Sequence, residues 1–325
     1  MIRRARHLLQ LVLLIQAILA VVIGLAFEYW LDLAPWSAAL LGLGSVALMR
    51  LLINSNNFLL SSWTSSPTPP AFRLGVKAQL AMMAEEFVAS MRMTSCSMPF
   101  ARPHIRIYPG CAMLPVLLVH GYGCNSGYWR AMVRRLDRAH ISHATLDLEP
   151  LLGDIDSYAP QIEAAVNALC GQARSAQVTI VAHSMGALAA RAWIRSYGSA
   201  RLWHLISIGS PHHGTCMAAF GLGVNGAQMR RHGVKGPACD WLRALAASED
   251  ANTRARITSV YSHHDNIVTP QTTSELDGAR NLALGGIGHV ALGSNQRVLD
   301  VVFQELKRLH EAGARHSAGS ARATT

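Results

Sequence analysis

The chain has 325 residues, half of them hydrophobic and only 15% charged, with a mean hydropathy of +0.21. That length fits one domain with an appendage better than two full domains. The net charge of +10 raises a nucleic-acid reading, but the 29 Lys and Arg are scattered and no RNP, zinc-finger or helix-turn-helix pattern accompanies them, so no nucleic-acid partner is expected. The cysteines are Cys96, Cys111, Cys124, Cys170, Cys216 and Cys239, and none forms a CxxC pair. That spacing argues against a zinc site or a redox motif. Free, mostly buried thiols are expected, although Cys216 and Cys239 could pair in an oxidising compartment.

Leu8 to Phe27 reads LLQLVLLIQAILAVVIGLAF, an uncharged run long enough to cross a bilayer core of about 30 Å as a helix. A second apolar run, Trp36 to Ile53, follows the acidic turn EYWLDLAP, in which Pro35 breaks the helix. Trp30 and Trp36 suit an interface as aromatic anchors. A cleaved signal peptide has a shorter apolar region, roughly 7–15 residues, and no second span, so a transmembrane hairpin over residues 1–55 is expected. Arg3, Arg4 and Arg6 precede the first run, Arg50 lies near the end of the second, and Glu28 and Asp32 lie between. The positive-inside rule then places both ends, and the rest of the chain, on the cytoplasmic side of a bacterial-type inner membrane. Arg50 falls within the apolar run and is expected to snorkel to the interface.

Residues 56–103 read as a linker and an amphipathic helix. NSNNFLLSSWTSSPTPPAF is Ser/Pro-rich, and Phe72 to Met93 carries Leu74, Val76, Leu80, Met83, Phe87, Val88 and Met91 at roughly helical spacing. Such a helix lies on the membrane or, more commonly, packs on the domain.

From His104 onward short β-rich runs alternate with helical patterns. PVLLVHG, HATLDLEP, QVTIVAH, RLWHLISIGS, ARITSVYS and ARNLALGG read as strands. Ser126 to Ala139, Asp156 to Cys170 (with Asp156 as N-cap), Met185 to Tyr197 and Asn295 to Glu311 read as helices. This alternation predicts an α/β fold, a mostly parallel sheet covered on both faces, over residues 104–312. Residues 313–325 are expected to be a disordered tail. In such sheets the functional site lies beyond the carboxyl ends of the strands.

Ser184 sits there, between the strand VTIVA and a helix. A sharp strand-to-helix turn would expose its hydroxyl and demand small neighbours two residues away, which are Ala182 and Gly186. Taken by itself, the serine reads equally as a helix N-cap. A nucleophilic serine needs a base and the base an orienting acid. His289 in GGIGHVALGSNQ follows the last strand, and Asp265 in VYSHHDNIVTP ends the strand before it. Asp240 is the runner-up acid, His310 and His316 suit ordinary positions better, and His263 and His264 read as wall residues. In VLLVHGYG, the turn at His120 and Gly121 lets the Tyr122 amide join that of Met185 as an oxyanion hole.

These segments together resemble the α/β-hydrolase superfamily, and within it the bacterial lipases and esterases. HGYG (120–123), AHSMG (182–186), GSPHHGT (209–215), HDNIV (264–268) and GIGH (286–289) carry the resemblance over roughly residues 112–305. It departs at Ala182, where the family has glycine, and at the first two strands, of which only HIRIYP is a candidate. The resemblance implies that His212 and His213 shape the substrate pocket together with His120 and Gly121. It also implies that the insertion of about 215–253, rich in Met217, Phe220, Leu222, Met229, Trp241, Leu242 and Leu245, forms a lid or acyl-chain pocket. A helix packed on the sheet is an equal reading of that segment. The expected activity is hydrolysis of a lipid or lipid-like ester by a Ser184–His289–Asp265 triad without metal or organic cofactor. Acyl transfer, thioester or peptide cleavage, or a non-catalytic tethered interaction protein remain the alternatives, and protein partners are open.

Overall fold

The computed structural model describes residues 5–323. Helices α1 (Ala5–Leu31) and α2 (Pro35–Ser62) form an antiparallel hairpin, and both are long and apolar enough to cross a membrane. Small residues set their crossing: Ala20, Gly24, Ala38 and Gly42 are buried there. A Cβ on Gly24 would come within 3.2 Å of the Ala38 carbonyl oxygen, and one on Gly42 would strike that of Ala20. Such surfaces let helix backbones approach closely. Pro35 opens α2, where its missing N–H costs nothing.

Two expectations for this region change. Helix α2 does not end near Ile53 but runs on to Ser62, because Asn54 is buried and Asn57 turns toward a crevice shared with Leu9, Phe87 and Met91. Arg50 does not reach outward. It donates to Gln16 Oε1 (2.9 Å), Thr94 Oγ1 (3.3 Å) and Ser95 Oγ (2.8 Å), so protein groups satisfy the guanidinium where the hairpin meets the rest of the chain.

Helix α3 (Val76–Arg92) follows and packs on the α/β unit, but not by the apolar stripe read from sequence. Its buried residues are Met82, Glu86 and Ala89, spaced four and three apart on one face. Val76, Leu80 and Val88 stay exposed.

The sheet has seven strands: β1 (Ile105–Arg106), β2 (Val116–Val119), β3 (His143–Thr145), β4 (Val178–His183), β5 (Leu202–Ile208), β6 (Ile257–Ser262) and β7 (Arg280–Leu284). Their order is β1-β3-β2-β4-β5-β6-β7, with β1 antiparallel and the others parallel. HIRIYP thus supplies one short edge strand. β2, β4 and β6 are buried along their whole length, as strands covered on both faces must be. Helices α5 (Ala159–Ala173) and α6 (Met185–Tyr197) cover one face with Ile162, Val166, Leu188 and Trp193. Helices α4 (Arg130–Arg138) and α10 (Gln296–Ala323), with Ala89 of α3 and Met93, cover the other.

Asp154, not Asp156, caps the turn before α5, accepting from the Asp156 amide at 2.9 Å. The last helix continues past Glu311 to Ala323, where a disordered tail was expected. Between β5 and β6 lie α7 (Gly223–Gln228), α8 (Asp240–Ala247) and α9 (Ala251–Ala255). This insertion divides. Met229, Leu242 and Leu245 join the core, whereas Phe220, Leu222 and Val224 are exposed.

Candidate active site

Ser184 occupies the single residue between β4 and α6. Its backbone is in the left-handed half of φ space (φ 53°, ψ −127°), a strained conformation for a residue with a side chain. The neighbours explain how it is tolerated. A Cβ on Gly186 would overlap the His120 carbonyl and lie 2.6 Å from that of Val119. Ala182 differs: it is a strand residue paired with Val119 and Ser207, and its methyl sits in the core cluster beneath the sheet. Glycine is therefore required on one side of Ser184 and not on the other. The Ser184 amide donates to the Ile208 carbonyl at 2.9 Å, anchoring the turn to β5.

The structure brings Ser184, His289 and Asp265 into one line. Ser184 Oγ lies 3.1 Å from His289 Nε2, and His289 Nδ1 lies 2.7 Å from Asp265 Oδ2. With Nδ1–H donating to the carboxylate, Nε2 is free to accept the serine proton. Asp265 is fixed from its other oxygen, which accepts the amides of Ile267 (2.8 Å) and Val268 (2.7 Å). Gly209, in the left-handed region at φ 56°, gives the pair room. A Cβ there would stand 2.5 Å from Leu292 Cδ1 and 3.2 Å from Asp265 Oδ2. Burial pulls the His289 imidazole down, but the charge and hydrogen bond of Asp265, with Glu86, outweigh it and leave His289 above its ordinary value of 6.5. His183 packs beside His289 with ring centroids 4.6 Å apart, and burial followed by the His289 charge holds it well below the ordinary range.

The oxyanion candidates flank the serine. Met185 is the first residue of α6, so its amide has no acceptor within the helix. Gly121 presses on Ser184 so closely that a Cβ would sit 2.8 Å from the serine Cβ, which brings the turn carrying Tyr122 against the site. The Tyr122 side chain does something the sequence did not suggest. Its hydroxyl donates to the Leu222 carbonyl and accepts from the Leu222 amide, both at 2.9 Å, tying the insertion to this turn. Ser184 and His289 are only 5% and 6% exposed beneath it.

Two of the expected pocket histidines, His120 and His212, are buried in hydrogen-bond networks instead. His120 is inside the core, its Nδ1 donating to the Gly121 carbonyl and its Nε2 accepting from the Leu148 amide, each at 2.9 Å. His212 is equally buried, accepting from Arg191 Nη1 (3.2 Å) and donating to Ser207 Oγ (2.9 Å). Arg191 in turn holds Glu249 bidentately at 2.5 and 2.8 Å. Burial, then the Arg191 charge, keeps His212 well below its ordinary range, matching a neutral ring in this network. His213 donates its amide to the Thr273 carbonyl. His263 packs against Phe72, and His264 Nδ1 accepts the Gly286 amide at 3.0 Å, so both support loops rather than wall a pocket. Asp240 is exposed and pairs with Arg243 on its own helix. Cys216 and Cys239 carry free thiols, and of the six cysteines only Cys170 is buried, where mostly buried thiols were expected.

Sequence reasoning missed three groups around Ser184, His289 and Asp265. Asn266 accepts the His289 amide (2.9 Å), Gln271 donates to the Asp265 carbonyl (2.9 Å), and Glu86 accepts amides of the loop after His289. The first two lie close in sequence to the acid. Glu86 lies some 200 residues from its partners, and no local pattern marks it.

A family model described as palmitoyl protein thioesterase matches residues 115–234, a stretch that contains Ser184 but neither Asp265 nor His289. Among solved structures, the mature form of Bacillus licheniformis lipase BlEst2 matches with a TM-score of 0.53 and 17% identity, over 63% of this chain and 98% of that one. Aspergillus fumigatus lipase B matches with a TM-score of 0.51 and 18% identity, over 82% of this chain and 69% of that one. The fold shared with these lipases is that of the α/β-hydrolases.

Proposed function

We propose that this α/β-hydrolase-fold chain is a membrane-anchored serine hydrolase that cleaves carboxylic esters with an apolar acyl chain. One observation carries the proposal: the hydrogen-bonded line from Asp265 through His289 to Ser184, with the serine strained at a strand-to-helix turn. Ser184 Oγ attacks the ester carbonyl carbon while His289 Nε2 takes its proton. The tetrahedral oxyanion is held by the Tyr122 and Met185 amides, each such donor contributing typically ~10²–10³ in rate. Collapse expels the alcohol, which leaves with the proton from His289, and the acyl group remains on Ser184. Water repeats the sequence, releasing the acid and restoring the serine. Asp265 keeps His289 in the tautomer that can accept the proton and stabilises the imidazolium.

The substrate class is read from the insertion tied to the turn that carries Tyr122. Leu152, Phe220, Leu222 and Val224 are exposed, and Leu222 is the residue tied to Tyr122. An exposed apolar rim beside a buried nucleophile suits an acyl chain better than a charged group. Thioesters are the second reading, favoured by the family-model match, and need no change in the machinery.

The anchor is α1 and α2, whose outer faces expose Leu14, Ile18, Val22, Leu40, Leu43 and Leu52. Val76 and Leu80 of α3 are exposed apolar residues as well. Arg6 at the open end of the hairpin and Glu28 and Asp32 at its tip favour the catalytic unit on the cytoplasmic side. Arg3 and Arg4, which also entered that orientation, lie outside the described residues.

The full chain in detergent, assayed on p-nitrophenyl esters of increasing acyl length, should prefer medium or long chains. A preference for acetate over all longer esters would contradict the apolar-chain reading, and no turnover of any ester or thioester would contradict the enzyme itself.

A further inference from the structure

Glu86 belongs to α3, the helix between the membrane hairpin and the α/β unit, yet it ends beside the triad. One carboxylate oxygen accepts the Val290 amide at 2.9 Å and the other the Ala291 amide at 2.8 Å. These are the two residues after His289. The residue before it is shaped by the same group, since a Cβ on Gly288 would lie 2.6 Å from the Glu86 carboxyl carbon. Glu86 is 1% exposed. The loop that carries the imidazole is thus moulded around one side chain from a distant part of the chain.

A carboxylate is a costly way to fasten a helix. Moving one out of water is unfavourable, and two amide donors offset that only in part. Burial pushes Glu86 up, and the amides of Val290 and Ala291, then the His289 charge, pull it back. What the charge adds beyond docking is a second negative group facing the imidazole. The groups around the pair are Asp265 and Glu86 as acids, His289 itself, His183 packed beside it at a tilt, and the Tyr128 phenol stacked on His183 at 4.2 Å. Neighbouring Glu85 is occupied with Asn295 at 2.7 Å.

We propose that Glu86 is a positioning residue for His289, through which the helix below the membrane hairpin is coupled to the catalytic base. The inference rests on the triad proposed above. A second tie runs from the same part of the chain to the acid. Ser66 donates its amide (2.9 Å) and hydroxyl (3.0 Å) to Gln271 Oε1, while Gln271 Nε2 donates to the Asp265 carbonyl. Thr64 and Thr269 share a hydrogen bond of 2.8 Å alongside. The stretch between hairpin and sheet therefore grips both loops that complete the triad.

The test uses the full chain in detergent with Glu86→Gln and Glu86→Asp, measuring kcat, KM and the pH dependence of kcat/KM on one ester. In Glu86→Gln one amide loses its acceptor and meets an NH2 group instead, so the loop shifts. The expected loss in kcat is on the order of 10², as for an ångström-scale misplacement of a catalytic group, with KM little changed. The acid limb of kcat/KM should move to lower pH, because an anion that favours the imidazolium is gone. Glu86→Asp keeps the charge on a shorter arm and should lose kcat while retaining the acid limb. A Glu86→Gln variant whose kcat or acid limb matches wild type overturns the proposal. Should that variant fail to fold, Glu86→Asp with wild-type kcat overturns it instead. Ser184→Ala separates the two levels: a wild type no more active than Ser184→Ala sinks the triad and this inference with it. An active wild type with unaltered Glu86 variants sinks the inference alone.

Discussion

Asp265→Asn isolates the role of the acid because the structure dictates how the amide must sit. Asp265 Oδ1 accepts the Ile267 and Val268 amides at 2.8 and 2.7 Å, while Oδ2 faces His289 Nδ1 at 2.7 Å. An asparagine can keep the two backbone bonds only by placing its oxygen where Oδ1 was. Its NH2 then points at Nδ1. A donor facing a donor is unfavourable, so the imidazole shifts its proton to Nε2 and offers Nδ1 as acceptor. Nε2–H cannot take the serine proton. Fold and binding should survive, since the new side chain is isosteric and keeps its contacts, whereas kcat should fall by about 10⁴, or ~5.5 kcal/mol in barrier. The assay is initial-rate hydrolysis of a p-nitrophenyl ester from pH 5 to 9, with Tm measured in parallel. A loss under about tenfold, with the variant folded, would refute Asp265 as the orienting acid.

Three further outcomes follow from the same geometry. His289 sits above 6.5 because Asp265 and Glu86 outweigh its burial, so kcat/KM should be full above that raised value and lost as pH falls through it. An acid limb at or below pH 6.5 would contradict this. Gly186→Ala drives a methyl into the carbonyls of His120 and Val119, which are backbone and cannot yield cheaply. It should cost roughly 1–3 kcal/mol or more and displace Ser184, read as a lower Tm together with slower turnover. A neutral Gly186→Ala would show that the turn is not packed as described. Glu249→Gln leaves Arg191, which has no exposed surface, without its charge partner, so a loss of about 3–5 kcal/mol in chemical denaturation is expected with little direct effect on chemistry.

Much of the site was legible in the sequence because its chemistry sits at strand ends. The strands before His120 and Ser184 are largely β-branched and aliphatic (VLLV and VTIVAH), and the strand ITSVYS ends three residues before Asp265. Helix α6 could be bounded at Met185 and Tyr197 because the turn and Gly198 punctuate both ends. Gly186 announced close backbone approach, and Ala182 raised a doubt that only the register with Val119 and Ser207 removes. Histidine content was the misleading signal. His120 and His212 carry a motif-like look, but their rings are spent on buried hydrogen bonds, which pattern alone cannot distinguish from a pocket lining. The polar stretch after Ile53 looked like a linker since Asn and Ser favour turns, yet its buried face contacts the hairpin and α3. Glu86 was invisible for a physical reason: its partners are backbone amides some 200 residues away, and amides carry no sequence signature.

The central claim is that Ser184 is a nucleophile activated by His289. The most direct measurement is intact mass and peptide mapping of the folded full chain after exposure to a fluorophosphonate, with Ser184→Ala and His289→Ala as companions. One adduct on Ser184 is expected, none in Ser184→Ala, and labelling slowed by several orders of magnitude in His289→Ala. A folded wild type that takes up no probe, or takes it up on a residue other than Ser184, would contradict the claim.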